Sequence, residues 1–76
     1  MFITITIETN DSKADIRIDS EQKISEGLKV LIESGNLPPC DIPYFFRSCV
    51  RETSVSAHRT FEDEHIFDGD VLIAID

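Results

Sequence analysis

The segment that most constrains the fold of this chain is its closing stretch, residues 59–76. The sequence predicts a short capped turn over residues 60–66 and a tight turn at Asp68-Gly69-Asp70. The run that follows, V-L-I-A-I from Val71 to Ile75, carries no polar side chain. A strand this apolar needs a neighbouring strand on each side, so earlier segments have to supply both neighbours.

Two alternating runs at the start of the chain predict a β-hairpin. In residues 1–9, M-F-I-T-I-T-I-E-T, isoleucine alternates with threonine and glutamate. After a turn over residues 10–13, the run A-D-I-R-I-D at residues 14–19 repeats the alternation. Period-two patterns rich in β-branched residues are typical of strands. The two runs therefore predict a hairpin with one apolar face and one polar face.

A change of period after residue 20 predicts one α-helix over about residues 22–34. Its apolar stripe at i, i+4, i+7 and i+8 consists of Ile24, Leu28, Leu31 and Ile32. The start is left open between Ser20, Gln22 and Lys23. The end is marked by Gly35, which supplies a left-handed residue, and by two prolines that prevent continuation.

A third strand is predicted at residues 44–51, Y-F-F-R-S-C-V-R. Alternation places Phe46 and Val50 on one face. It places Phe45, Arg47 and Cys49 on the other, and the charge of Arg47 indicates that this second face points outward.

The order of elements predicts an α+β protein. Residues 53–57 supply a short edge strand around Val55, and the Pro-rich link before the third strand is expected to anchor in the core through Leu37 and Ile42. The helix is long enough to cross one face of a four- to five-stranded mixed sheet, with the first hairpin beside the last strand. Seventy-six residues predict a single domain, residues 1–76.

The charge of the chain disfavours several classes of partner. Fifteen acidic residues against seven basic ones give a net charge of −8. Nucleic acid and anionic lipid need clustered Lys and Arg, so neither is expected as a partner. We interpret the negative charge as a contribution to solubility, and the more specific alternative is that it attracts a basic protein partner. The chain shows neither a signal-peptide pattern nor the about 20 apolar residues of a membrane span, so we expect a cytoplasmic location without membrane insertion.

Two cysteines and two histidines are the candidates for nucleophilic or metal chemistry. Cys40 and Cys49 lack the C-x-x-C spacing of a zinc site, and we interpret both as reduced thiols, Cys40 in a loop and Cys49 in the third strand. His58 and His65 are expected on the surface. Cys49 and His58 could approach each other across a hairpin, but no third group is present to orient the imidazole. We therefore expect no enzyme activity.

A run of acidic residues near the last turn is the other candidate for metal binding. The residues are E-D-E-H at 62–65, then Asp68 and Asp70. They do not follow the spacing of a Ca²⁺ loop. We interpret them as a solvated surface and expect neither a metal nor a cofactor.

The element order and the segment R-T-F-E-D-E-H-I at residues 59–66 together resemble the ubiquitin-like β-grasp fold. Ubiquitin has R-T-L-S-D-Y-N-I there, so Phe61 and Ile66 match as apolar positions, and Thr60 and Asp63 match as the pair that caps a short turn. The capping has its own physical reason, because such side chains satisfy backbone N–H groups that a single turn leaves unpaired.

Within that fold the chain resembles the small bacterial proteins of the YukD/EsaB family, which accompany the type VII (ESX/WXG100) secretion system. The opening M-F-I-T-I-T-I-E is similar to that family's M-Y-I-D-I-T-I-D. The third strand Y-F-F-R-S-C-V is similar to H-W-I-R-V-V, and the ending I-F-D-G-D-V-L-I to I-x-x-G-D-x-L-x. The resemblance covers nearly the whole chain.

The fold that the resemblance implies predicts a protein-binding surface on the outer face of the sheet. Leu72 and Ala74 would face the helix. The residues expected to face outward and form the surface are Phe2, Thr4, Thr6, Phe45, Arg47, Cys49, Val71, Ile73 and Ile75. Two alternatives remain open. In the first, the apolar members are not an interface, because they only reflect strand propensity or pack against the link at residues 37–42. In the second, the opposite register buries them and exposes Leu72.

The resemblance implies an accessory or regulatory protein of type VII secretion that binds a cytoplasmic domain of a membrane component. Conjugated ubiquitin-like proteins and sulfur carriers end in Gly-Gly, whereas this chain ends A-I-D, so we expect no conjugation. A small structural subunit of a multicomponent enzyme is the alternative, and a modifier or sulfur carrier is disfavoured. Weak self-association through the outer face of the sheet is a further alternative that the sequence leaves open.

Overall fold

The computed structural model describes residues 1–10 and 12–75, and within them the chain forms five strands and one helix. The elements in chain order are β1 (Phe2–Glu8), β2 (Lys13–Asp19), α1 (Ile24–Glu33), β3 (Phe45–Ser48), β4 (Thr53–Ser56) and β5 (Val71–Ile75). The strands lie in the order β2-β1-β5-β3-β4. Part of the predicted first turn, Asp11, and the last residue of the chain, Asp76, lie outside the described residues.

The apolar strand β5 has a strand on each side, as its composition predicts. It runs parallel to β1, with Thr6 level with Val71 and Glu8 level with Ile73. It runs antiparallel to β3, with Phe45 opposite Ile75. Within the described residues, the first hairpin is therefore joined to the rest of the sheet through β5 alone, which makes β5 the central strand.

The core lies between the sheet and α1, and its members come from the predicted alternation. The isoleucines of β1 and β2 are buried, and Leu72 and Phe46 join them from β5 and β3. The helix buries Ile24, Gly27 and Leu28 against this layer. Leu37 is buried and Ile42 packs against the core, so both predicted anchors of the link are confirmed.

The helix begins at Ile24 because a distant segment satisfies its first N–H groups. The Ile24 N–H donates to the Arg59 carbonyl at 2.9 Å and the Ser25 N–H to the Ala57 carbonyl at 2.8 Å. Lys23, at the N-cap, makes no capping bond with its side chain. This arrangement explains why no capping residue in the local sequence marks the start.

The end of the helix follows the predicted glycine stop. Gly35 has φ of +82°, and the Asn36 N–H donates to the Leu31 carbonyl at 2.9 Å. The Gly35 N–H donates to the Ile32 carbonyl at 3.2 Å, which completes a Schellman motif.

The capped turn over residues 60–66 is confirmed in its anchors. The Asp63 N–H donates to the Thr60 hydroxyl at 2.9 Å, while Phe61 and Ile66 are fully buried. His65 has φ of +58°, and the Ile66 N–H donates to the Phe61 carbonyl at 2.9 Å. The turn therefore holds the segment that caps α1 against the core.

The third strand is shorter than its sequence predicts. β3 ends at Ser48, so Cys49 lies in a turn, and Val50 is 71% exposed instead of sharing the buried face of Phe46. The cause is the hairpin with β4, because Ser48 already pairs with Thr53 and the residues between them must form the turn. The Arg51 N–H donates to the Ser48 hydroxyl at 3.3 Å inside that turn.

Candidate functional site

The outer face of the sheet, opposite α1, carries the predicted binding residues of β1, β3 and β5, and the structure places them in rows across the strands; Cys49 lies in the turn after β3. Val71 lies beside Thr6 of β1. Ile73 lies between Glu8 of β1 and Arg47 of β3. Val71 and Ile73 are half-buried, whereas Arg47 is exposed. Leu72 is buried on the opposite face, which excludes the alternative register.

The predicted surface is divided, and Phe2 does not join its apolar part. Because β1 and β5 are parallel, Phe2 lies six residues before the level of Ile73, about 20 Å along the strand. Its ring is covered by the Arg17 guanidinium, whose carbon lies 5.5 Å from the ring centroid. Thr4 lies four residues before the level of Ile73, about 13 Å along the strand, and its backbone contacts the turn at Gly69. Phe2 and Thr4 therefore form a separate region from Ile75.

A charged row separates the two regions. Lys13, Glu8 and Arg47 lie in one line across the sheet with Ile73 among them. Charged residues are depleted from the centres of protein interfaces. An interface on the outer face is therefore centred to one side of this row.

The apolar region lies at the C-terminal end of β5, and we call it the aromatic end: Tyr44, Phe45 and Ile75. Phe45 is 53% exposed and lies opposite Ile75 across the β3–β5 pairing. Tyr44 is 70% exposed, and its ring centroid lies 5.2 Å from that of His58. A groove of about 290 Å³ runs along these residues and is completed by Asp41 and Pro43.

Tyr44 is the member of the aromatic end that sequence reasoning missed. Strict alternation assigns Tyr44 to the face of Phe46, which is buried. The strand begins only at Phe45, so alternation does not extend to Tyr44. The sequence signal that could have found it is Pro43, because proline is disfavoured inside a sheet and so marks Tyr44 as lying at the end of the strand, where alternation does not hold.

Asp70 is not the solvated turn charge that the sequence predicts. It is buried, and its carboxylate accepts three hydrogen bonds. The donors are the Ser48 hydroxyl at 2.6 Å and the N–H groups of Val71 at 2.7 Å and Val50 at 3.2 Å. Asp68 is exposed, as expected, and accepts the Thr4 N–H at 2.6 Å. The Gly69-Asp70 turn therefore fixes β5 to both of its neighbours.

The titratable residues within residues 1–10 and 12–75 include the acidic run, Cys49 and His58, which the sequence raised as candidates for metal or nucleophilic chemistry. No group of three or more His, Cys, Asp or Glu residues in that part of the chain is placed to hold a metal. Cys49 and His58 are at opposite ends of the β3–β4 hairpin, because Phe45 pairs with Ser56 and Ser48 with Thr53. The approach of Cys49 and His58 that the sequence left open therefore does not occur. Both cysteines are free thiols, Cys49 exposed and Cys40 half-buried.

The structure alters the ionisation of Asp19. The Glu21 N–H donates to its carboxylate at 3.0 Å, and the amino group of Met1 lies 3.2 Å away. The backbone hydrogen bond first, and the amino group second, hold the pKa of the Asp19 carboxyl below its usual range. The ion pair between the Met1 amino group and Asp19 joins the start of β1 to the end of β2.

Comparison with solved structures identifies the fold. A designed protein based on ubiquitin matches with a TM-score of 0.69 and 19% identity over 97% of this chain and 87% of its own. The ubiquitin-like domain of EccD5 from Mycobacterium xenopi matches with a TM-score of 0.59 and 19% identity over 99% and 93%. Ubiquitin of Caldiarchaeum subterraneum matches at 0.57 and 18% over 100% and 96%. The chain has the ubiquitin-like β-grasp fold, and the prediction of that fold is confirmed.

No protein-family model matches the chain, and no curated protein matches it. Identities below 20% to the solved structures show the fold alone. No helix within the described residues has the length and apolar character needed to cross a membrane.

Proposed function

We propose that this chain is a non-catalytic ubiquitin-like protein that binds another protein through its aromatic end. The observation that carries the proposal is the exposure of Tyr44 and Phe45 beside Ile75 along one groove. Tyrosine, phenylalanine and arginine are enriched in protein interfaces, and aromatic anchors supply most of the binding free energy. Arg47, exposed next to Phe45 in β3, gives the rim a cation that pairs with an acidic group of the partner.

We further propose that the partner belongs to a bacterial type VII secretion system and that the chain acts there in the cytoplasm as an accessory or regulatory component. The support is the resemblance of the opening, third-strand and closing segments to the YukD/EsaB family. The fold shared with the EccD5 domain over 99% of the chain is compatible with the proposed role in type VII secretion. The net charge of −8 favours a partner whose surface around the binding site is basic.

The test is capture of the cytoplasmic domains of the secretion-system membrane components by the immobilised protein. We expect Phe45→Ser to weaken capture at least about tenfold, which is the effect of losing an interface anchor. Phe67→Ser is the matched control, because Phe67 is also an exposed phenylalanine, at 60%, but lies in the turn before β5. Equal capture by the two variants, or no capture by the unmodified protein, would contradict the proposal.

The proposed binding is non-covalent, and the mass of the protein tests this separately. We expect the purified chain to keep its mass after incubation with a ubiquitin-type activating enzyme and ATP. An adduct would show a modifier or carrier instead. An isolated chain that aggregates, and is rescued only by a large catalytic subunit, would favour the enzyme-subunit alternative.

A further inference from the structure

The strand β2 presents an open edge of the sheet. It is seven residues long and lies at one end of the strand order, with β1 as its neighbour in the described part of the chain. The Ser20 N–H donates to the Met1 carbonyl at 2.8 Å, and the Thr9 N–H donates to the Ser12 carbonyl at 2.8 Å. Even-numbered residues of β2 therefore direct their backbone groups to β1. The odd-numbered ones direct N–H and C=O groups away from the sheet. Such an edge is a template for another strand.

The same odd-numbered residues carry alternating charges: Lys13, Asp15, Arg17 and Asp19. When the order of these four residues is reversed, each position carries the opposite charge. If two copies of β2 run antiparallel about a two-fold axis at Ile16, Lys13 faces Asp19 of the second copy and Asp15 faces its Arg17. We propose that β2 pairs with β2 of a second copy of this chain in this register and joins the two sheets into one.

The backbone and the side chains select the same register. Outward N–H and C=O groups must face each other, so only registers that pair odd with odd residues are allowed. A shift of two residues in one direction sets Asp15 against Asp15 and Lys13 against Arg17. A shift in the other direction sets Arg17 against Arg17 and Asp15 against Asp19. Like charges directly opposite each other are destabilising, so the neighbouring registers are disfavoured.

The inner side of this edge has a surface that the second copy would cover. A groove of about 290 Å³ beside β2 is lined by Ile16, Leu31 and Asn36, together with Asp15 and Arg17. Leu31 is half-buried. The two-fold axis at Ile16 brings the two grooves together, so the exposed part of Leu31 loses water in the dimer. The net charge of −8 on each copy opposes association, so the dimer forms at high concentration.

A charge-swap experiment tests the register. Arg17→Asp leaves two carboxylates facing two carboxylates in the homodimer, and Asp15→Arg leaves two guanidinium groups facing two others. We expect each variant alone to weaken self-association by roughly tenfold or more in sedimentation equilibrium, because like charges replace opposite ones at symmetric positions. A one-to-one mixture restores opposite charges at both positions, so we expect it to form a heterodimer at least as tightly as the unmodified chain.

Lys29→Asp is the matched control, since it makes the same change of charge on the exposed face of α1. Circular dichroism of each variant tests whether it is folded. Equal self-association of the Arg17→Asp and Lys29→Asp proteins, or a mixture that stays monomeric, would overturn the proposal. So would a chain that stays monomeric at millimolar concentration, or a dimer that is lost on Phe45→Ser and kept on Arg17→Asp.

Amide hydrogen exchange gives a second measurement that does not depend on variants. We expect the N–H groups of Lys13, Asp15, Arg17 and Asp19 to exchange more slowly as concentration rises, while those of the even-numbered residues of β2 do not change. The proposal is independent of the proposed function, because the aromatic end lies on β3 and β5, away from this edge.

Discussion

At the scale of single residues, Asp70 shows how one buried carboxylate connects two strands of the sheet. Its carboxylate is buried and joins the first residues of β5 to the turn after β3 through the Val71 N–H, the Val50 N–H and the Ser48 hydroxyl. Hydrogen bonds to a charged acceptor are stronger than neutral ones, and buried donors are costly to leave unpaired. Asp70 therefore stabilises the position of β5 in the sheet.

The first prediction concerns the pair Asp70 and Ser48. We expect Asp70→Ala to lower the free energy of unfolding by about 3 kcal/mol, since buried donors lose their acceptor, and Ser48→Ala to lower it by about 1 kcal/mol. The double variant should be less destabilised than the sum of the two by about 1 kcal/mol, because the second substitution has no bond left to remove. Urea unfolding measures all three.

Asp63→Ala is the control for this cycle, because Asp63 is an exposed aspartate that takes part in its own turn through its backbone N–H, which bonds to the Thr60 hydroxyl and remains in the variant. We expect it to change stability by no more than about 0.5 kcal/mol. Additive effects of Asp70→Ala and Ser48→Ala would contradict the bond between them.

The sequence could not predict the role of Asp70, although it predicts most of the buried apolar residues. The isoleucines of β1 and β2 are found by their period alone. Asp70 depends on Ser48, which is 22 positions away and is brought to it only by the β3–β5 pairing. A charged residue beside a glycine turn has the same local pattern whether its partner is water or a hydroxyl from another strand.

At the scale of elements, the close approach of α1 to β2 explains a glycine in the helix. Gly27 is buried, and a Cβ atom added there would clash with Cδ1 of Ile18 and lie 3.3 Å from Cγ1 of the same side chain. Glycine inside a helix costs about 1 kcal/mol relative to alanine. The glycine offsets that cost because the absence of a Cβ atom lets the helix pack directly on Ile18 of β2.

The second prediction is a coupling between Gly27 and Ile18. We expect Gly27→Ala to lower the free energy of unfolding by about 1 kcal/mol, because the clash outweighs the gain in helix propensity. In an Ile18→Val background the clashing Cδ1 atom is absent, and Gly27→Ala should then be neutral or stabilising by up to about 1 kcal/mol. Thermal and urea unfolding of the four proteins measure the coupling.

Gly35→Ala is the matched control for this cycle. Gly35 has φ of +82° and open space around the position of a Cβ atom, so its substitution strains the backbone without contacting Ile18. We expect its cost, about 1 kcal/mol, to be the same in both backgrounds. A Gly27→Ala effect that is also equal in both backgrounds would show that Ile18 moves aside freely.

The division of the outer face is also a property of elements that the sequence does not show. Alternation correctly places Phe2, Phe45 and Ile75 on the outer side of their strands. Their separation follows from the parallel register of β1 and β5, which sets Glu8, and not Phe2, beside Ile73. Register between distant strands is fixed by the whole core, so a local pattern predicts the face of a residue but not its neighbours on that face.

At the scale of the whole molecule, the excess of acidic residues affects stability in addition to the local ion pairs. The net charge is −8, and two ion pairs are found in residues 1–10 and 12–75: Met1 with Asp19, and Arg59 with Glu64. Net charge of one sign destabilises the compact state through self-repulsion. Lowering the pH reduces this repulsion, so the contribution of a single carboxylate has to be measured as a difference between two proteins.

The third prediction is such a difference for Asp19. Its pKa is lowered in the folded state by the Glu21 N–H and then by the Met1 amino group, so the carboxylate stabilises the fold above the unfolded pKa, and this contribution is lost as the pH falls through the folded pKa. We expect Asp19→Asn to be less stable than the unmodified protein at pH 6 to 7, about two units or more above the unfolded pKa, and the gap to close as the pH falls below about 3. Urea midpoints of both proteins across this range measure the gap. The absence of a gap at pH 6 to 7 would show that Asp19 acts through its shape and hydrogen bonds alone, because an asparagine keeps the acceptor for the Glu21 N–H and lacks only the charge.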